Sequence, residues 1–198
     1  MRNTLILSFF VLFFVACKGK TIDNQDFTPK PKGYNRIDLP VVAYQKMVEN
    51  HPYNFEYSKY ARLLPDTFAR AEPHWIYIDY PQFEANVQLT YKPINGDLRR
   101  LQNMISDAHK LSYKHNVKAY SIQEKIYESP SGNQANIIDL EGEVPSQVQF
   151  YMTDSTKHFL RGALYFKTAT QNDSLAPVIQ YIRKDILHLV NTLKWQNN

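Results

Sequence analysis

"QFYMTDSTKHFLRGALYF", residues 149–166, admits two readings, and the choice between them sets the fold. Asp154, Ser155 and His158 lie within five positions and supply the acid, hydroxyl and imidazole of a hydrolytic triad. On either side, however, the residues alternate. Phe150 and Met152 alternate with Tyr151 and Thr153; Phe159, Arg161, Ala163 and Tyr165 alternate with Leu160, Gly162, Leu164 and Phe166. Period-two patterning places two strands around "DSTK". Asp and Ser favour turns because their side chains bond nearby backbone N–H groups. A triad also needs an oxyanion hole and a nucleophile on a constrained elbow, and the chain contains no GxSxG. The stretch therefore reads as a β-hairpin, and no catalytic residue is assigned.

Outward from the hairpin, the same logic orders the chain. "FEANVQLTYK" (83–92) alternates apolar and polar residues throughout, so one face of that strand meets the core. "YNFEYSKY" (53–60) and "HWIYIDY" (74–80) read as two earlier strands. After Asn95-Gly96-Asp97 the period changes: Leu98, Leu101, Met104, Ile105, Ala108 and Leu111 form one helical stripe, which Asn95 or Asp97 can cap. Strand-like runs follow at 118–128, 136–144, 147–153 and 158–167. Pro177 then opens a second amphipathic stripe, Val178, Tyr181, Ile182, Ile186, Leu189, Val190 and Leu193, which ends near Trp195. The fold class is α+β: a mainly antiparallel sheet of about six to seven strands flanked by two helices, in the order βββ-α-ββββ-α. This order is similar to that of the PsbP/Mog1 group, at the level of topology alone.

The first residues address the compartment. Leu5 to Ala16 are apolar except for Ser8, too short a run for a span of about 20 residues and suited to the middle of a signal peptide. The run ends in Phe14-Val15-Ala16-Cys17, with a small residue before the only cysteine of the 198-residue chain. This is a lipobox pattern, with Phe14 in place of the usual Leu. It divides the chain into a lipoprotein signal peptide (1–16), a lipidated Cys17 leading an extended tether (17–52), and a single domain (53–198). Acyl chains on Cys17 would hold the protein to a membrane without spanning it. Pro29, Pro31 and Pro40 keep the tether extended, although Tyr34, Ile37, Leu39, Val41 and Val42 offer apolar contacts that would dock it onto the domain.

Other chemistry is sparse. Cys17 is spent on the anchor, so the domain has neither disulfide nor thiolate nucleophile. The six histidines show no HExxH spacing, and the six glycines are too scattered for a phosphate-cradling loop. We expect no metal and no cofactor. Glu141 and Glu143 share one side of a strand, as solvated carboxylates commonly do. The fourteen tyrosines fit half-buried strands better than a carbohydrate platform. The net charge of +4 fixes no partner, and an exported protein does not meet nucleic acid.

Several stretches taken together resemble the gliding-motility lipoprotein GldD family of the Bacteroidetes: the lipobox, "PKPKGYNRIDLP", "YNFEYSKYA", "HWIYIDYP", "LTYK", "DAHKLSYKHNVKA", "VQFYMTDSTKHFLRGALYF" and "YIRKDILHLVNTLKW". The resemblance implies a lipoprotein needed for gliding and associated with type IX secretion machinery. It supplies no catalytic residue. Its expected role is a non-catalytic accessory or assembly component whose partners are other gliding or secretion envelope proteins; the alternative is an accessory binder of peptidoglycan or another envelope glycan. Lys18-Gly19-Lys20 after the cysteine lacks the acidic residues common in surface-exported lipoproteins, so the protein is expected to face the periplasm, anchored in the outer membrane, with the inner membrane as the alternative. The strand "HFLRGALYF" is apolar on both faces, so it is either covered twice or leaves part of one face for a partner. The candidate partner surface is Arg161 with Phe159 and Tyr165.

Overall fold

The computed structural model describes residues 37–114, 118–167 and 172–196. Cys17, the signal peptide and tether residues 17–36 lie outside them. The core is a seven-stranded antiparallel sheet made of two meanders. The first is β4 (Arg62–Pro65), β5 (Ile76–Tyr80) and β6 (Ala85–Pro93). The second is β7 (Ala119–Glu128), β8 (Gln134–Gly142), β9 (Val148–Thr153) and β10 (His158–Phe166). Helix α1 (Leu98–Tyr113) carries the chain from β6 to the far edge, and the second meander returns until β10 pairs with β6. The spatial order is β4-β5-β6-β10-β9-β8-β7.

Both faces are covered, as the pattern of β10 requires. Leu160 and Leu164 point to the main core with Val87, Leu89, Phe150 and Ile137, beneath helix α2 (Asn172–Thr192). Phe159 points the other way, into a smaller cluster with Ile94, Leu101 and Ala108 beneath α1. Every residue of the second amphipathic stripe, Val178 to Leu193, is buried. Asp97 is the cap of α1: its carboxylate accepts from the backbone N–H of Arg99 at 2.9 Å and of Arg100 at 3.1 Å. Asn95, the other candidate, instead takes a left-handed turn conformation at φ 59°.

Three expectations are revised. Helix α2 begins at Asn172, so Pro177 sits inside it and not in its first turn. Its C-terminal end comes earlier, and Lys194–Trp195 form strand β11, which pairs with β2 (Tyr53–Asn54). "YNFEYSKY" is two strands, because β2 serves β11 while β3 (Glu56–Ser58) serves β1 (Tyr44–Lys46). The end of α2 is held by the β7–β8 turn, where the Asn133 side-chain amide donates to the carbonyls of Val190 (3.0 Å) and Leu193 (2.8 Å). These carbonyls lack intrahelical partners, so the turn supplies them.

Of the stretch assigned to the tether, residues 37–52 pack onto the domain. Ile37 touches the main core, β1 pairs with β3, and Met47 is 4% exposed. Leu39, Val41 and Val42 stay exposed. A buried polar knot fixes this segment: the hydroxyls of Tyr44 and Tyr80 both donate to Asp185 of α2, each at 3.1 Å. Asp185 is 4% exposed. Burial pushes its carboxyl above the ordinary range, against the hydrogen bonds from Tyr44 and Tyr80.

The folded state therefore keeps the Asp185 proton to higher pH than the unfolded chain does. This group's contribution to stability falls as pH rises from 3.8 through its raised folded value. Asp185→Asn removes the charge and keeps one carbonyl acceptor, while its amide N–H can donate to the other tyrosine hydroxyl. It is expected to raise the melting temperature at pH 7 by about 2–4 °C, the shift produced by roughly 1 kcal/mol in a domain of this size. The gain should vanish as pH falls toward 4 in a series of thermal melts. A variant that melts below wild type at pH 7 would show that the charge is needed.

Candidate functional site

The "DSTK" segment is the β9–β10 turn. Asp154 Oδ1 accepts from three backbone N–H groups: Thr156 at 3.0 Å, Lys157 at 2.8 Å and His158 at 2.8 Å. Burial raises this carboxyl, but the three N–H donors and the nearby imidazole outweigh it and hold the group below its ordinary value. Ser155 occupies the left-handed region at φ 64°, its N–H donating to Thr153 Oγ1. The turn is zipped to the loop before α1: Ile94 N–H donates to Lys157 O at 2.7 Å and Gly96 N–H to Thr156 O at 2.8 Å. His158 is turned inward. Its Nδ1 lies 2.9 Å from the Tyr91 hydroxyl, and its ring stacks on Trp195 with centroids 5.1 Å apart. Burial lowers its affinity for a proton, partly offset by Asp154. Asp154 is thus occupied by backbone and His158 by packing, an arrangement that suits a turn and not a charge relay.

An aromatic–imidazole cluster extends from His158 beneath the β2–β11 pair. Tyr53 donates its hydroxyl to the His74 carbonyl at 2.5 Å and stacks on His51. The Nδ1 atoms of His51 and His74 are 3.1 Å apart, so one ring donates and the other accepts. Burial, with His74 alongside, pushes the His51 imidazole below its ordinary value. His74 itself stands at φ 69°. Among the described residues, no three His, Cys, Asp or Glu side chains are placed to hold a metal ion.

The candidate partner surface divides. Phe159 is 4% exposed beneath α1, stacked on Tyr151, so it packs the domain and is not a surface residue. Arg161 is half-buried and donates to Gln149 Oε1 at 2.5 Å; the same oxygen accepts from the Ser112 hydroxyl of α1 at 3.0 Å. Tyr165 is half-buried farther along the strand, where the same sheet face turns polar with Asn86, Gln88 and Tyr77. Arg161 thus ties β10 to α1 through a buried amide, and Tyr165 marks the border of the covered region.

A groove that the sequence did not single out opens between β8 and the first half of α2. It has a volume of about 390 Å³. Its floor is an ion pair between Arg183 of α2 and Asp139 of β8: Nε and Nη2 each meet one carboxylate oxygen, at 2.8 and 2.7 Å. Tyr120, from a β-bulge between Ala119 and Ser121, stands at its mouth and is 76% exposed. The signal available in the sequence was indirect: Gly142, which pairs with Ala119, adopts φ 126°, and a Cβ there would lie 2.4 Å from the Lys118 carbonyl oxygen.

The fold is a helix-flanked antiparallel sheet whose most suggestive polar residues serve turns and packing. The sequence model described as "Gliding motility lipoprotein GldD" matches residues 24–195. The chain belongs to the GldD family of gliding motility lipoproteins. No curated protein matches it. Among solved structures, it is similar to the solution structure of cyanobacterial PsbP (CyanoP) from Synechocystis sp. PCC 6803, at 11% identity and a TM-score of 0.46, covering 81% of this chain and 97% of that one. Among the described residues, no helix is long and apolar enough to cross a membrane.

Proposed function

We propose that the protein is a periplasm-facing lipoprotein, anchored through Cys17 to the outer membrane, that acts as a non-catalytic assembly component of the gliding-motility and type IX secretion machinery. The observation that carries this reading is the family match, which spans residues 24–195. The use of Asp154, Ser155 and His158 as turn and core residues supports a binding role over a chemical one. So does the sheet face at Arg161 and Tyr165, where the cover provided by α1 gives way to half-exposed polar residues. Its partners would be other envelope proteins of the machinery.

The anchor and the assembly role are tested together. Cys17→Ala should abolish metabolic fatty-acid labelling and release the protein from the membrane fraction. Unchanged labelling would end the lipobox reading. Co-purification from crosslinked cells should return specific envelope proteins with the wild-type protein. Recovery of glycan fragments alone would overturn the assembly role.

A further inference from the structure

The geometry points to a saccharide-binding groove between β8 and α2, closed at one side by Tyr120. Three features combine. The first is the aromatic wall. Most tyrosines of the described chain are buried or half-buried, whereas Tyr120 is 76% exposed and lines a concavity. It stands there because of backbone construction: the bulge in β7 adds a residue to the edge strand and re-aims its side chain. That bulge needs glycine opposite it. Gly142 has φ 126°, and any Cβ would strike the Lys118 carbonyl at 2.4 Å and the Ala119 Cα at 3.0 Å.

The second feature is the floor. Arg183 and Asp139 lock each other through two hydrogen bonds, so a donor and an acceptor are presented side by side in fixed positions. The pair uses Nε and Nη2 of the guanidinium, leaving Nη1–H and further carboxylate lone pairs. The third is the rim, where Gln123, Glu141 and Gln180 are exposed around the same opening. A sugar ring suits this set. Its C–H face covers an aromatic ring, and its vicinal hydroxyls, each both donor and acceptor, match an adjacent guanidinium and carboxylate. A groove of about 390 Å³ is within the usual range for small-ligand sites and accommodates one or two pyranose rings. A peptide side chain would want an apolar pocket where this floor is ionic. The site adds to the assembly role and does not depend on it.

The test is calorimetric titration and saturation-transfer NMR on the detergent-solubilised full chain. N-acetylglucosamine trimer represents an amino-sugar strand, and maltotriose represents a neutral hexose chain. At least one should bind with a Kd of about 0.1–1 mM, and the one that does identifies the source. Tyr120→Ala should weaken binding at least about tenfold while Tyr120→Phe binds as wild type, since the ring and not its hydroxyl forms the wall. Tyr120 is exposed, so unchanged melting temperatures are expected for both variants. Absence of binding by either sugar at about 10 mM, or equal binding by Tyr120→Ala, overturns the proposal. So does concentration-dependent self-association that Tyr120→Ala abolishes, which would make the groove an interface between copies.

Discussion

Gly162→Ala is expected to destabilise the domain by about 3 kcal/mol, read from urea unfolding at neutral pH. Gly162 lies at the centre of the sheet, paired with Leu89 on one side and Phe150 on the other. The Phe150 ring covers it so closely that a Cβ would sit 2.1 Å from Cε1 and 2.4 Å from Cζ. The ring cannot swing clear, because Phe150 is 1% exposed in the main core with Ile137, Leu160 and Ile182. Overpacking a close-packed interior forces side chains off their rotamers or shifts the backbone. The double variant Phe150→Leu with Gly162→Ala makes the cause specific. Leu lacks the ring, so the pair should be less destabilised than the sum of the two single changes. Strict additivity would show that the ring is not what Gly162 accommodates.

Asp154→Ala should cost about 2 kcal/mol, because one carboxylate oxygen satisfies three backbone donors of the β9–β10 turn. The loss should depend on pH. The folded carboxyl is held below its unfolded value of 3.8, so its contribution is complete above that value and is lost as pH falls through the lower folded one. The wild type and the variant should therefore converge in acid. Ser155→Gly, one residue along, should have the opposite sign, since φ 64° suits glycine better than serine. A loss at Asp154 below about 0.5 kcal/mol at pH 7 would mean that the strands hold the turn without it.

The comparison of these two residues shows what the sequence displayed. Asp154 was legible as a turn residue because its chemistry is local: its partners are two to four positions away. Alternation in 83–92 and the stripe from Leu98 are also local, and both became the elements expected, β6 and α1. Gly162 was legible as a member of the β10 alternation, but its close contact with Phe150, which pairs with it from the next strand, was not. Segments of one or two strand periods carried little signal of their own. β1, β2, β4 and β11 have two to four residues each, and β1 was assigned to the tether. Their order comes from distant partners, such as Asp185 for Tyr44. The burial of Phe159 depended on where α1 crosses, which periodicity does not encode. The groove at Tyr120 required the register of β7 on β8, set by a bulge that no residue of β7 announces.

The β6–β10 seam also shapes the path by which the chain folds. Apart from the longer β4–β5 connection, each meander closes through short loops, so its contacts are expected to form early and cheaply. The seam joins residues 85–93 to residues 158–166, with α1 and three strands between them. Its loop-closure entropy must be spent before Leu160, Leu164 and Val87 reward it. The two meanders are accordingly expected to order before the seam, with their joining as the slow step, on a timescale of about milliseconds to seconds; pulse-labelled hydrogen exchange that protects β6 and β10 together from the start would overturn this. Until it occurs, β6 and β10 each present a bare apolar edge, the state in which a nascent copy is most open to pairing with its neighbour.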